Sequence, residues 1–170
     1  AVMTVVVAAC AHTQPQSQPH SAAGEGLESL IQLSQMEQRE HWWPAVQELG
    51  RLASADAALR EEIWRRARVN TLGMKFVLVQ SGTFTMGPDV HNPFNVQWPH
   101  SVEITQPYCV CVTETTNAMF QELFPSFQAD AKFSPESDSP AVNVSWRQAA
   151  RFCRRLSGRE GARYRLPTEA

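Results

Sequence analysis

The sequence predicts an α+β fold preceded by a helical region, and three stretches carry that prediction. From Leu27 to Val69 apolar residues fall at helical steps, among them Leu27, Leu30, Ile31, Val46, Leu49, Leu52, Leu59 and Ile63. Beyond Asn70 the period changes to alternation, with Met74, Phe76 and Leu78 on one face and Lys75, Val77 and Val79 on the other. From Trp146 a helical pattern returns behind Ser145 and Gln148, which are spaced as a capping box.

The chain's 170 residues hold one ordinary domain plus appendages, and its composition is that of a globular protein. A formal net charge of −2 gives no global reason to expect a nucleic-acid partner. No apolar run approaches the ~18 to 20 residues that a membrane-spanning helix needs.

Residues 1–10, AVMTVVVAAC, read as the apolar core and small-residue end of a secretory signal peptide, although no basic segment precedes them. Val7-Ala8-Ala9-Cys10 also resembles a bacterial lipobox, in which the Cys10 thiol receives diacylglycerol. Two acyl chains hold a protein on a membrane where one does so only marginally. An ordinary signal peptide, or a buried strand with a chance cysteine, are the alternatives. Residues 11–26 are Gln, Pro, Ser, His and Gly with almost nothing large and apolar, so they form a flexible linker in which His12 and His20 are solvated.

Residues 27–69 form a helical region of two or three helices. Pro44 is expected to break the first from the next, and Ser54 or Asp56 to cap a later one. In that later helix Glu61 with Arg65 and Glu62 with Arg66 are favourable i,i+4 pairs. Trp42-Trp43 reads as a core or interdomain feature. Next, Ser81-Gly82 is expected to fold residues 74–79 and 83–86 into a β-hairpin. Two further strands are expected at 101–105 and 108–113, on either side of Gln106-Pro107, and His100 ahead of them reads as structural packing. Thr116 caps a short helix over 117–124 with Met119, Phe120 and Leu123 inward, and Pro125 ends it. Residues 141–144 read as a brief strand feeding the helix that starts at Trp146. That helix has Trp146, Ala149, Phe152, Cys153 and Leu156 as its apolar stripe, arginines elsewhere, and Gly158 placed to end it. Finally, Thr168-Glu169 is a helix start signal with only Ala170 behind it, which predicts that the chain stops inside its domain.

Four stretches together carry a family resemblance: NTLGMKFVLVQSGTFTMG from Asn70, residues 108–120 with their Glu-Thr-Thr-Asn core, PAVNVSW from Pro140, and RYRLPTEA from Arg163. Residues 70–170 resemble, in order, the N-terminal motifs of the formylglycine-generating enzyme family, also called the sulfatase-modifying factor domain. The resemblance implies a compact α+β domain related to C-type lectins, here truncated. It departs from the family pattern at Gln80, Cys109, Cys111 and Thr115. In the enzymes of this family a cysteine pair near the domain's C-terminus binds copper and uses oxygen to convert a sulfatase cysteine to formylglycine. Copper and calcium are thus the cofactors implied for a full-length member, and none is assigned to residues of this chain. Cys153 aligns with a cysteine that some members pair in a disulfide with the second half.

With Cys10 set aside, Cys109, Cys111 and Cys153 remain, an odd number for an oxidising compartment. Cys109 and Cys111 lie on one face of a strand, a spacing that serves buried packing more often than a metal. No phosphate loop, nucleophile elbow or HExxH motif is present. Asn143-Val-Ser145 matches a glycosylation acceptor, but capping accounts better for Ser145. Seven of the fifteen basic residues lie between Arg147 and Arg165, which suggests an anionic ligand or, as the safer reading, a solvated helix face whose acidic complement lies in the missing half of the domain.

The sequence therefore predicts no catalytic, cofactor or metal residue, and lipidation at Cys10. It predicts an exported lipoprotein of the cell or outer membrane, facing the periplasm or exterior. Its partners are the membrane, through the lipid anchor, and a sulfatase or another envelope protein. The full-length protein is then either a formylglycine-generating oxidase or a non-catalytic, lipid-anchored binding module. An iron-dependent sulfoxide synthase is disfavoured, because residues 27–69 lack a clustered set of histidines and carboxylates.

Overall fold

The computed structural model describes residues 8–10, 24–87 and 98–168. The expected solvation of His12 and His20 and the role of Glu169 lie outside them. The chain folds around two adjoining apolar clusters, one inside the N-terminal helices and one between a small sheet and the later helices.

Strand β1 (Ala8–Cys10) is followed by helices α1 (Gly24–Ser34), α2 (Arg39–Ala55) and α3 (Ala57–Ala67). The break between α1 and α2 lies at 35–38, and Pro44 sits inside α2, contrary to expectation. The first i→i−4 bond of α2 runs from Trp42 N to Gln38 O, so Pro44 forfeits only the bond to the carbonyl of exposed Glu40. Asp56 caps α3 by accepting from Ala58 N and Leu59 N. In α3 the carboxylate of Glu62 holds both Arg65, at 2.6 Å, and Arg66, at 3.5 Å. Ile31, Val46, Leu49, Ala53, Ile63 and Val69 bury their side chains between these helices.

Asn70 governs the change of period. Its Oδ1 accepts from Leu72 N and Met74 N, its backbone N–H donates to Met74 O, and Gly73, at φ +69°, closes the turn. Strand β2 (Phe76–Val79) then buries Phe76 and leaves Val77 exposed, in the expected alternation. Strand β3 (Gly82–Met86) does not pair with β2. It pairs with β4 (His100–Ile104) as a separate two-stranded ribbon, while β2 pairs with β5 (Tyr108–Cys111), Phe76 opposite Cys111 and Leu78 opposite Cys109. The hairpin expected at Ser81-Gly82 is thus replaced by two non-local pairings, which bury the Phe76 face against later helices. His100 packs into no core: it is exposed and its Nδ1 donates to Trp98 O at 3.0 Å.

Thr116 caps α4 (Asn117–Leu123) as expected. The polar segment after it is strapped down by Asn117, whose Nδ2 donates to Ser134 O and Glu136 O. Residues 141–144 make no strand: Pro140 forms an isolated bridge with Thr116, and Asn143 turns the chain at φ +58°. Helix α5 (Trp146–Glu160) opens on the predicted capping box, Gln148 N donating to Ser145 Oγ and Ser145 N to Gln148 Oε1. It runs past Gly158 and ends at Gly161, whose φ of +67° supplies the left-handed cap. Strand β6 (Tyr164–Arg165) completes a four-stranded antiparallel sheet in the order β2-β5-β1-β6.

The second cluster gathers Met74, Phe76, Cys109, Cys111, Phe120, Val144, Phe152, Cys153, Leu156 and Tyr164. Phe120 stacks on Phe152 with centroids 5.2 Å apart. Trp43 packs against both clusters, and Trp42 is buried in the first, so the tandem tryptophans have the core and bridging role expected of them.

Candidate functional site

Among the described residues a concavity open to solvent lies between α5 and β6. It is a groove of about 550 Å³ whose floor includes Ala150, Cys153, Tyr164 and Leu166. Arg147, Arg151 and Arg154 rise from α5 along its side at steps of four and three residues, and Arg165 enters from β6. Trp146 stands at its end, 64% exposed, and not in the core as the apolar stripe predicted. The first position of a helix projects past its neighbours, so the stripe covers Ala149, Phe152, Cys153 and Leu156 but loses Trp146.

Local chemistry fixes the groove's shape. Tyr164 N donates to Ser157 Oγ at 2.9 Å, and the Tyr164 hydroxyl donates to Glu160 Oε2 at 2.7 Å. The other Glu160 oxygen accepts from Thr71 N and the Thr71 hydroxyl, which ties the end of α5 to the Asn70 turn. Burial, reinforced by the Glu160 carboxylate, pushes the Tyr164 hydroxyl far above its ordinary pKa, so it stays a donor. A cavity of about 30 Å³ beside Asn70, Glu160 and Tyr164 has room for a water. Asn70, Thr71 and Glu160 escaped sequence reading as a set, because their spacing in sequence is long; only the Asn-Thr-Leu-Gly turn hinted at the first of them.

Cys109, Cys111 and Cys153 are all buried, and among the described residues no disulfide joins any two of them. Cys109 and Cys111 point to the same side of β5, into the cluster, as the strand period requires. Burial raises the Cys111 thiol and pushes Cys153 up to about 11, so neither is a thiolate near neutrality. Copper is bound through thiolates, and these protonated core sulfurs do not fit it. Among the described residues no group of three or more His, Cys, Asp or Glu stands close enough to hold a metal ion, calcium included.

The backbone of Ala8–Cys10 lies between β5 and β6, Cys10 opposite Tyr108 and Ala9 opposite both Cys109 and Tyr164. A peptidase cut ahead of Cys10 would remove Ala8 and Ala9, most of β1. That would take away the only strand partner of β6, leaving Tyr164 held to α5 by Ser157 and Glu160. Among the described residues no helix is long and apolar enough to cross a membrane.

Residues 61–170 match the family described as the sulfatase-modifying factor enzyme 1-like domain. No curated protein and no solved structure matched in the two other comparisons. The match begins inside α3, ahead of the Asn70 turn, and takes in β2 to β6, α4, α5 and the groove, while β1 lies outside it. The α+β architecture, C-type-lectin-like in this family and here carrying an N-terminal helical region, agrees with it, and the chain belongs to the sulfatase-modifying factor enzyme 1-like domain family.

Proposed function

We propose that this chain is the scaffold and binding part of an exported sulfatase-modifying-factor-type protein, held at a membrane by lipid on Cys10. The observation that carries the reading is the contrast between its sulfurs and its surface. The three described core cysteines are buried, two of them with raised thiols, while a wide groove with a cationic rim and Trp146 face solvent. Such a surface recognises; such thiols do not react. Conversion of a sulfatase cysteine to formylglycine, where the whole protein performs it, is work for residues other than Cys109, Cys111 and Cys153. A second reading, a lipid-anchored envelope module with no turnover, is favoured by the same exposed groove.

Incubating the 170-residue chain with copper, oxygen and a sulfatase-type Cys-x-Pro-x-Arg peptide tests the reading. The peptide is expected to keep its thiol, and an aldehyde product detected by mass would overturn it. Lipid attachment is tested separately by labelling cells with a fatty acid. Label is expected on the protein and lost in Cys10→Ala; an unlabelled parent removes the anchor from the proposal.

A further inference from the structure

We propose that the cavity beside Asn70, Glu160 and Tyr164 is a binding site for an ordered water that ties the Asn70 turn to the end of α5. Asn70 is 1% exposed. Its Oδ1 is committed to Leu72 N at 3.0 Å and Met74 N at 2.9 Å, which fixes the sense of the amide and leaves Nδ2 as the free end. That nitrogen is shielded from bulk solvent and has no acceptor among the described residues. A buried donor in this position carries its full desolvation cost until an acceptor reaches it. The cavity that Asn70 lines measures about 30 Å³, and a buried water needs roughly 10–15 Å³ and two or more polar partners. Both conditions are met. The water accepts from Asn70 Nδ2 and donates to Glu160 Oε2, which takes one other donor among the described residues, the Tyr164 hydroxyl. The lining also decides against an ion. Glu160 already holds Thr71 N, the Thr71 hydroxyl and the Tyr164 hydroxyl, and the group in want of a partner is itself a donor, so a cation gains little there. Glu61 and Glu160 on the wall repel an anion, while Arg60 beside them donates through Nε to Ala53 O. Tyr164 lines both this cavity and the α5–β6 groove, so the water stands behind the groove's wall.

The test compares the 170-residue chain with Val69→Ile, because Val69 is fully buried on the cavity wall and the added methyl enters the space the water would take. Oxygen-17 relaxation dispersion of the solvent counts long-lived protein-bound waters, and urea titration measures stability. The variant is expected to hold at least one long-lived water fewer than the parent. It is also expected to lose roughly tenfold in its folding equilibrium constant, since Asn70 Nδ2 is then left without an acceptor. A dry cavity behaves in the opposite way: the methyl fills a void, the dispersion stays unchanged and stability rises. Should Val69→Ile fail to fold, Ala162→Val fills the same cavity from its other side and carries the same two expectations. An unchanged water count in the filled variant, or a gain in its stability, would overturn the proposal. Stability that rises with added sodium or chloride in the parent and not in the filled variant would place an ion in the cavity and overturn it as well.

Discussion

Cys153 shows how much of a single residue's meaning depends on what packs around it. The sequence places it on the apolar stripe of α5, and the structure buries it beside Phe152 and Leu156, where burial holds its thiol up to about 11 against an ordinary 9.0. A raised thiol binds its proton more tightly in the folded chain than in the unfolded one. Its stabilising contribution is therefore complete below pH 9 and is lost as pH climbs through about 11. Cys111 and Tyr164, raised for the same reason, act in the same direction. Urea denaturation at a series of alkaline pH values should show stability falling from pH 9 upward, with a shallower fall in Cys153→Ala. An unchanged slope in that variant would mean that the Cys153 thiol titrates normally when folded. Neither spacing nor composition announces this property, because it comes from neighbours that are distant in sequence.

The elements read best where their signals are local. The start of α5 was legible because the Ser145–Gln148 capping box is complete within four residues, and Thr116 and Asp56 capped their helices for the same reason. Its end was misread because Gly158 precedes Gly161, and only the second adopts the left-handed cap at φ +67°. Pro44 misled in the same way, its cost depending on where the preceding turn began. The β2–β3 hairpin failed for a different reason: the pairing of β2 with β5 is non-local, and a turn signal says nothing about a competing partner. The Arg-lined groove was legible only as a basic stretch, since its floor needs Leu166 and Tyr164 folded back onto α5. The misread glycine yields a prediction. An added Cβ at Gly158 meets nothing within 4 Å, so Gly158→Ala should stabilise the protein by about 0.5–1 kcal/mol through helix propensity. Gly161→Ala, strained at positive φ, should destabilise it, and thermal melts of the two variants should move in opposite directions.

At the scale of the whole molecule the helical region and the family domain are joined by contacts too close to be incidental. Lys75 Nζ donates to Ser34 O and sits 4.8 Å from the Trp42 ring, and Arg39 pairs with Asp138 at 3.8 Å. Arg159 of α5 reaches Ser54 at the end of α2 and Glu122 of α4, and Trp43 and Trp64 pack against the domain's core. The tightest approach is between backbones: a Cβ on Gly50 of α2 would lie 2.4 Å from Gly73 N and 2.6 Å from Gly73 Cα. Gly73 stands in the Asn70 turn, which Glu160 anchors from the end of α5, so the backbone there cannot retreat without disturbing the domain. Gly50→Ala should therefore cost about 1–3 kcal/mol, the range for an overpacked interior, even though alanine favours helix. If the two regions unfold as one, this substitution in α2 will lower the stability of the domain as well. Hydrogen exchange at rising urea, read at the amides of α2 and at those of the β2–β5 pairing, should give unfolding transitions that coincide in the parent and shift together in the variant. Two separated transitions, with only the helical one displaced by Gly50→Ala, would show instead that the helices rest on the domain without sharing its stability.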